Sequence, residues 1–156
     1  MRFLPPLFSL LLVAPAMAHT VDPFSVLSMQ GECQNLTAGP EDLIDICAGE
    51  IMQVIHRDTR MDISIWMNGE SGEFITLSGL TEQGPDAKGF QHIDTVIVGR
   101  DGSGYNNLTY KAKGLCTFDN FLVGNAQYRC EAVTKDGSVY NFAFRTEAGE
   151  PENLMD

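Results

Sequence analysis

Four cysteines and three histidines are the side chains in this sequence best suited to metal binding, redox chemistry or nucleophilic attack. The cysteines fall into two like-spaced pairs. Gly31-Glu32-Cys33 is followed by Cys47, and Gly114-Leu115-Cys116 is followed, after the same interval, by Cys130. No Cys-x-x-Cys motif and no paired Cys/His cluster occurs, so zinc-type and thioredoxin-type sites are not indicated. An even count leaves no spare thiol to act as a nucleophile. Three pairings are possible for four cysteines, and the repeated spacing favours Cys33–Cys47 with Cys116–Cys130 as structural disulfides. Each closes a loop of about fifteen residues, worth roughly 3 kcal/mol in the chain-entropy account.

The histidines are His19, His56 and His92. No Gly-x-Ser-x-Gly elbow, His-Glu-x-x-His helix or phosphate-cradling glycine loop is present. The glycine-rich run Gly99-Arg100-Asp101-Gly102-Ser103-Gly104 lies between two expected strands rather than before a helix, so it reads as a turn. It also lacks the alternating acids of a calcium loop. Carboxylates are scattered, and none forms an evident acid/base pair. The sequence thus indicates no catalytic residue and no cofactor, and a non-enzymatic role is the expectation, with an enzyme of no recognisable motif as an alternative. One sharper reading concerns His19. Cleavage after Ala18 would make it the first residue, with a free amino group and an imidazole able to chelate one ion. His56 or His92 would complete a three-nitrogen set suited to Cu(II). In this one residue and in fold class the chain resembles exported copper proteins that use an N-terminal histidine; the resemblance implies a Cu(II) site at His19.

Residues 1–18 have the three parts of a secretory leader: Arg2 at the start, an apolar run from Leu4 to Val13, and Ala16-Met17-Ala18 as a small-x-small cleavage site. The apolar run is shorter than the ~20 residues of a membrane span. A periplasmic or secreted destination is expected, with no membrane attachment after cleavage. Losing this segment removes Arg2 and no acid, so a formal charge of −11 becomes more negative by one. Such acidity repels phosphate backbones and anionic lipid, which argues against nucleic acid and membrane surfaces as partners.

The elements that would hold these residues are strands. A single β-rich domain is expected over 19–145, with half-repeats at about 31–79 and 93–145 and a disordered acidic tail over 146–156. His19 to Gln30 reads as an arm or edge segment, and Asn35 to Asp42 as a loop. Leu43 to Ile55 is ambiguous between helix and strand, with a strand from Ile46 favoured. Met61, Ile63, Ile65 and Met67 alternate with polar residues, and Glu73 to Ser78 returns as their hairpin partner. Gly79 to Gln91 reads as the connection between the halves. Strands follow at Ile93 to Val98, around Leu108 to Ala112, at Tyr128 to Thr134 and at Val139 to Arg145. The last two are joined at Asp136-Gly137, a strong hairpin signal. Cys116 to Asn125 is expected as a loop. The fold class is therefore all-β: an antiparallel sandwich or barrel-like meander of about seven strands, with at most one short helix.

Alternation puts Trp66 on the face opposite Ile63, Ile65 and Met67, which makes it a candidate binding aromatic. The sequons at Asn35 and Asn107 have meaning only in a cell that glycosylates them. A compact β-scaffold with structural cysteines and no catalytic set points to a module that binds a protein or a small ligand, identity and oligomeric state open.

Overall fold

A chain of many strands and no long helix has few ways to avoid an open sheet edge, and closing the sheet on itself is one of them. The computed structural model describes residues 23–68, 72–83, 88–100 and 106–156. Its strands are β1 (Pro23–Ala38), β2 (Glu41–Asp42), β3 (Cys47–His56), β4 (Arg60–Met67), β5 (Phe74–Gln83), β6 (Gly89–Gly99), β7 (Leu108–Phe118), β8 (Gln127–Thr134), β9 (Val139–Thr146) and β10 (Glu152–Asn153). Apart from the two-residue strands β2 and β10, neighbours in sequence are neighbours in the sheet, all antiparallel, and β9 pairs back onto β1. Eight long strands thus close into an up-and-down barrel. Leu27, Ile51, Ile63, Leu77, Val96, Tyr128 and Phe144 are among the side chains buried inside it. Two 3-10 turns, Ile44–Ile46 and Phe121–Val123, are the helical content of the described residues.

The all-β antiparallel meander stands, as do the bridges Cys33–Cys47 and Cys116–Cys130. The first correction to the strand expectation is β1, a full barrel strand where an arm and a loop were expected. Its register shifts between Cys33 and Asn35, so Gln34 is an extra residue and the parity of the buried positions changes. Met29 is buried before the bulge and Leu36 after it. A bulge of this kind breaks the period-2 pattern without breaking the strand.

Glycine accounts for a second difference. Gly79 and Gly89 lie within β5 and β6 and not in a linker. A Cβ on Gly79 would sit 1.9 Å from the His92 carbonyl oxygen, and one on Gly89 would sit 2.1 Å from the Phe118 ring. Here glycine permits close approach in a curved sheet. The ambiguous segment before β3 resolves into the 3-10 turn at Ile44–Ile46, with Gly49 at φ 70° where the β3–β4 register shifts.

Cys116 lies on β7 directly opposite Cys130 on β8, so the expected second loop begins only after Phe118. The two bridges fall on the first and second long strands and on the sixth and seventh. The tail, expected without order, has structure: Leu27 and Ser28 pair with Asn153 and Glu152, and Leu154 N–H donates to Val26 O at 2.8 Å. Its backbone finds partners along the part of β1 that β9 leaves uncovered.

Candidate functional site: the mouth of the barrel

One end of the barrel collects the start of β1, the β3–β4 turn, the end of β5 and the start of β6, and the β7–β8 connection. The β3–β4 turn runs through Arg57, Asp58 and Thr59, and Thr59 N–H donates to His56 O at 3.3 Å. Thr59 takes φ 69°, a left-handed conformation that a β-branched residue adopts only under constraint. Its carbonyl accepts from Thr81 N–H at 3.0 Å, which ties the turn to β5.

Within this end lies a cavity of about 540 Å³ lined by Phe24, Ile55, His56, Arg57, Thr59, Met61, Thr81, Phe118 and Phe121. The lining is mainly apolar. Phe118 packs between Phe121, at 5.9 Å between ring centroids, and Tyr128, at 5.7 Å. At the rim the Arg57 guanidinium lies 5.6 Å from the Phe24 ring centroid, within cation–π range. His56 Nε2 lies 2.8 Å from Asp62 Oδ2, so the imidazole is held on the rim by a carboxylate of the next strand.

Below the cavity the barrel interior is not purely hydrocarbon. Gln53 and Gln91 are both 0% exposed. Gln91 is the register partner of Thr81, and its Nε2 donates to the carbonyls of Met61, at 2.5 Å, and Leu77, at 3.1 Å. Gln53 lies two residues before Ile55 on the same face of β3. Its Oε1 accepts from the Tyr128 hydroxyl at 2.8 Å. Burial pushes the Tyr128 pKa well above the ordinary tyrosine value, so the phenol stays protonated and donates. Two atoms of this layer have no partner among the described residues: Gln53 Nε2, a donor, and Gln91 Oε1, an acceptor. Leaving such a group unpaired costs about 1–3 kcal/mol.

The residues singled out from the sequence are placed elsewhere or only partly here. His56 reaches the rim. His92 lies on the outer face of β6, with Leu80 and Leu115 as its register partners. His19 is outside the described residues, as is the whole leader. Among the described residues no group of three or more His, Cys, Asp and Glu is placed to hold a metal ion. Trp66 is half-buried near the opposite end, its ring 4.9 Å from that of Phe74, its register partner. Asn35 Nδ2 donates to Asn141 Oδ1 at 2.7 Å within the wall.

Sequence reasoning missed the cavity because its lining comes from five strands, the β3–β4 turn and a 3-10 turn. One signal was legible: Gln53 and Gln91 each occupy an inward position in an apolar alternation, between Ile51 and Ile55 and before Ile93. Compared with known protein families, curated proteins and solved structures, the chain matches none.

Proposed function

We propose that this protein is an exported, non-enzymatic carrier or sensor that binds a small, largely apolar molecule in the mouth of its barrel. The observation that carries this is the 540 Å³ cavity lined by Phe24, Ile55, Met61, Phe118 and Phe121. Its volume falls within the roughly 300–1,000 Å³ of small-molecule sites, which favour the mouths of barrels. Eight strands are also the number at which a barrel either fills with side chains or holds one small ligand. In this chain the cavity lies at the mouth. Arg57 on the rim adds positive potential in an acidic protein, which favours ligands with an anionic group at the outer end.

The strained Thr59 supports the same reading, since strain of this kind gathers at binding sites. Both cysteine pairs are bridged, which suits an oxidising compartment. Together with the leader-like residues 1–18, this supports delivery to the periplasm or the exterior. The experiment is a fluorescence titration with 1-anilinonaphthalene-8-sulfonate, an apolar probe bearing one anion. Saturable one-to-one binding is expected, weakened at least tenfold in Thr81→Trp, where the indole fills the mouth. Equal binding by a folded Thr81→Trp variant rejects the cavity as the site.

A further inference from the structure

We infer that Gln91, assisted by Gln53, is the polar floor of this site and reads a hydroxyl or N–H group at the leading end of the ligand. This rests on the mouth as the binding site and goes on to specify ligand chemistry. Both Gln91 Nε2 contacts are to carbonyl oxygens, those of Met61 and Leu77. A flipped amide would set Oε1 against two acceptors, so the orientation is fixed by chemistry. Oε1 is therefore the atom left without a partner among the described residues, fully buried and able only to accept. It calls for a donor, which a hydrocarbon, an ether or a carboxylate cannot supply.

Three features put Gln91 beside residues that line the mouth. Its register partner Thr81 lines the cavity, its amide is bonded to the backbone of Met61, which also lines it, and its other register partner, Cys116, is two residues from Phe118. Gln53 stands in the same relation to Ile55. The Met61 side chain forms part of the floor, and an unbranched thioether is the apolar side chain that most readily changes rotamer to admit a ligand.

The two glutamines are complementary, since Gln91 offers an acceptor and Gln53 Nε2 a donor. A hydroxyl both donates and accepts, as does a primary or secondary amide, whereas an apolar terminus does neither. A site built to pair with such a group rejects the analogue that lacks it, because its own polar atoms then stay unpaired. The ligand class is thus an apolar body carrying a hydroxyl or amide at its buried end.

Two probes of nearly equal shape test this: 2-naphthol and 2-methylnaphthalene, each titrated by calorimetry into the full disulfide-bonded protein. The wild type is expected to prefer the naphthol by about tenfold. Gln91→Met, which keeps the chain length and removes the acceptor, is expected to bring that ratio close to one. If the wild type binds both equally, the polar floor is overturned and the mouth site stands. If Gln91→Met retains the full preference, another group reads the hydroxyl and the assignment to Gln91 is wrong. A drop in stability with no change in the ratio means that Gln91 serves the fold alone. If neither probe binds the wild type, the mouth reading fails and the polar floor falls with it.

Discussion

The Tyr128 hydroxyl donates to Gln53 Oε1 at 2.8 Å, joining β8 to β3 across the inside of the barrel. The contact is remote in sequence, fully enclosed, and made by a phenol that cannot ionise without carrying charge into the core. It therefore links the stability of the barrel to pH.

The native state holds the Tyr128 proton above the ordinary tyrosine pKa of 10.0, while the unfolded chain releases it there. The native form then binds more protons, and stability falls as pH rises above that value. The expected slope is roughly −1.4 kcal/mol per pH unit from this one group. Denaturant unfolding followed between about pH 9 and 11.5 should show the decline. Tyr128→Phe should flatten it, at a cost near neutral pH of about 1–2 kcal/mol for the lost hydrogen bond. An unchanged alkaline slope in Tyr128→Phe would show that other groups cause it.

Thr59 gives a prediction of opposite sign. Its φ of 69° at the β3–β4 turn is strained for a β-branched residue and ordinary for glycine. Thr59→Gly should leave the fold intact and change stability by up to about +1 kcal/mol, the relief of strain outweighing the added freedom of the unfolded chain. Thermal unfolding checks this. Binding of an apolar probe should weaken in the same variant, because the turn that carries His56 and Arg57 becomes looser.

Gly79 should tolerate no side chain. The Cβ of Gly79→Ala would meet the His92 carbonyl at 1.9 Å, a backbone atom with no rotamer to retreat into. A loss of about 1–3 kcal/mol in urea unfolding is expected. Gly137→Ala is the control for left-handed strain alone. Its φ is 88°, and no described atom beyond its chain neighbours lies within 4 Å of where the methyl group would stand.

Reduction should weaken the barrel by about 2–4 kcal/mol for each bridge. Cys116 and Cys130 are both buried in the barrel, so Cys116→Ala with Cys130→Ala adds lost packing to lost cross-linking. The guanidinium midpoint should fall from the wild type to this double variant. It should fall again when the variant's remaining bridge is reduced.

Much of the barrel was legible because most strands carry uninterrupted alternation. Met61, Ile63, Ile65 and Met67 announce β4, and Tyr140, Phe142 and Phe144 announce β9. The disulfide pairing followed from spacing alone. What stayed hidden has a common cause: local exceptions that serve closure. The extra residue at Gln34 reverses the parity of β1, and Gly79 and Gly89 sit inside strands because a neighbour occupies the space of their side chains. The tail carries no periodicity, since only its backbone pairs with β1. The site was harder still. Phe24, Thr81 and Phe121 are far apart in sequence and meet only when the sheet closes. Gln53 and Gln91 were visible as polar residues at apolar positions, though nothing local shows that both neighbour the lining of one cavity.

A surface that competes with the mouth of the barrel is the outer face of β5–β7, where Leu80, Phe90 and Leu115 are exposed around His92. Amide and methyl chemical-shift mapping of the full disulfide-bonded protein during titration with 1-anilinonaphthalene-8-sulfonate separates the two most directly. The prediction is that shifts concentrate at Phe24, Ile55 to Met61, Thr81 and Phe118 to Phe121. Shifts concentrated at Leu80, Phe90, His92 and Leu115, with the mouth unmoved, would contradict it.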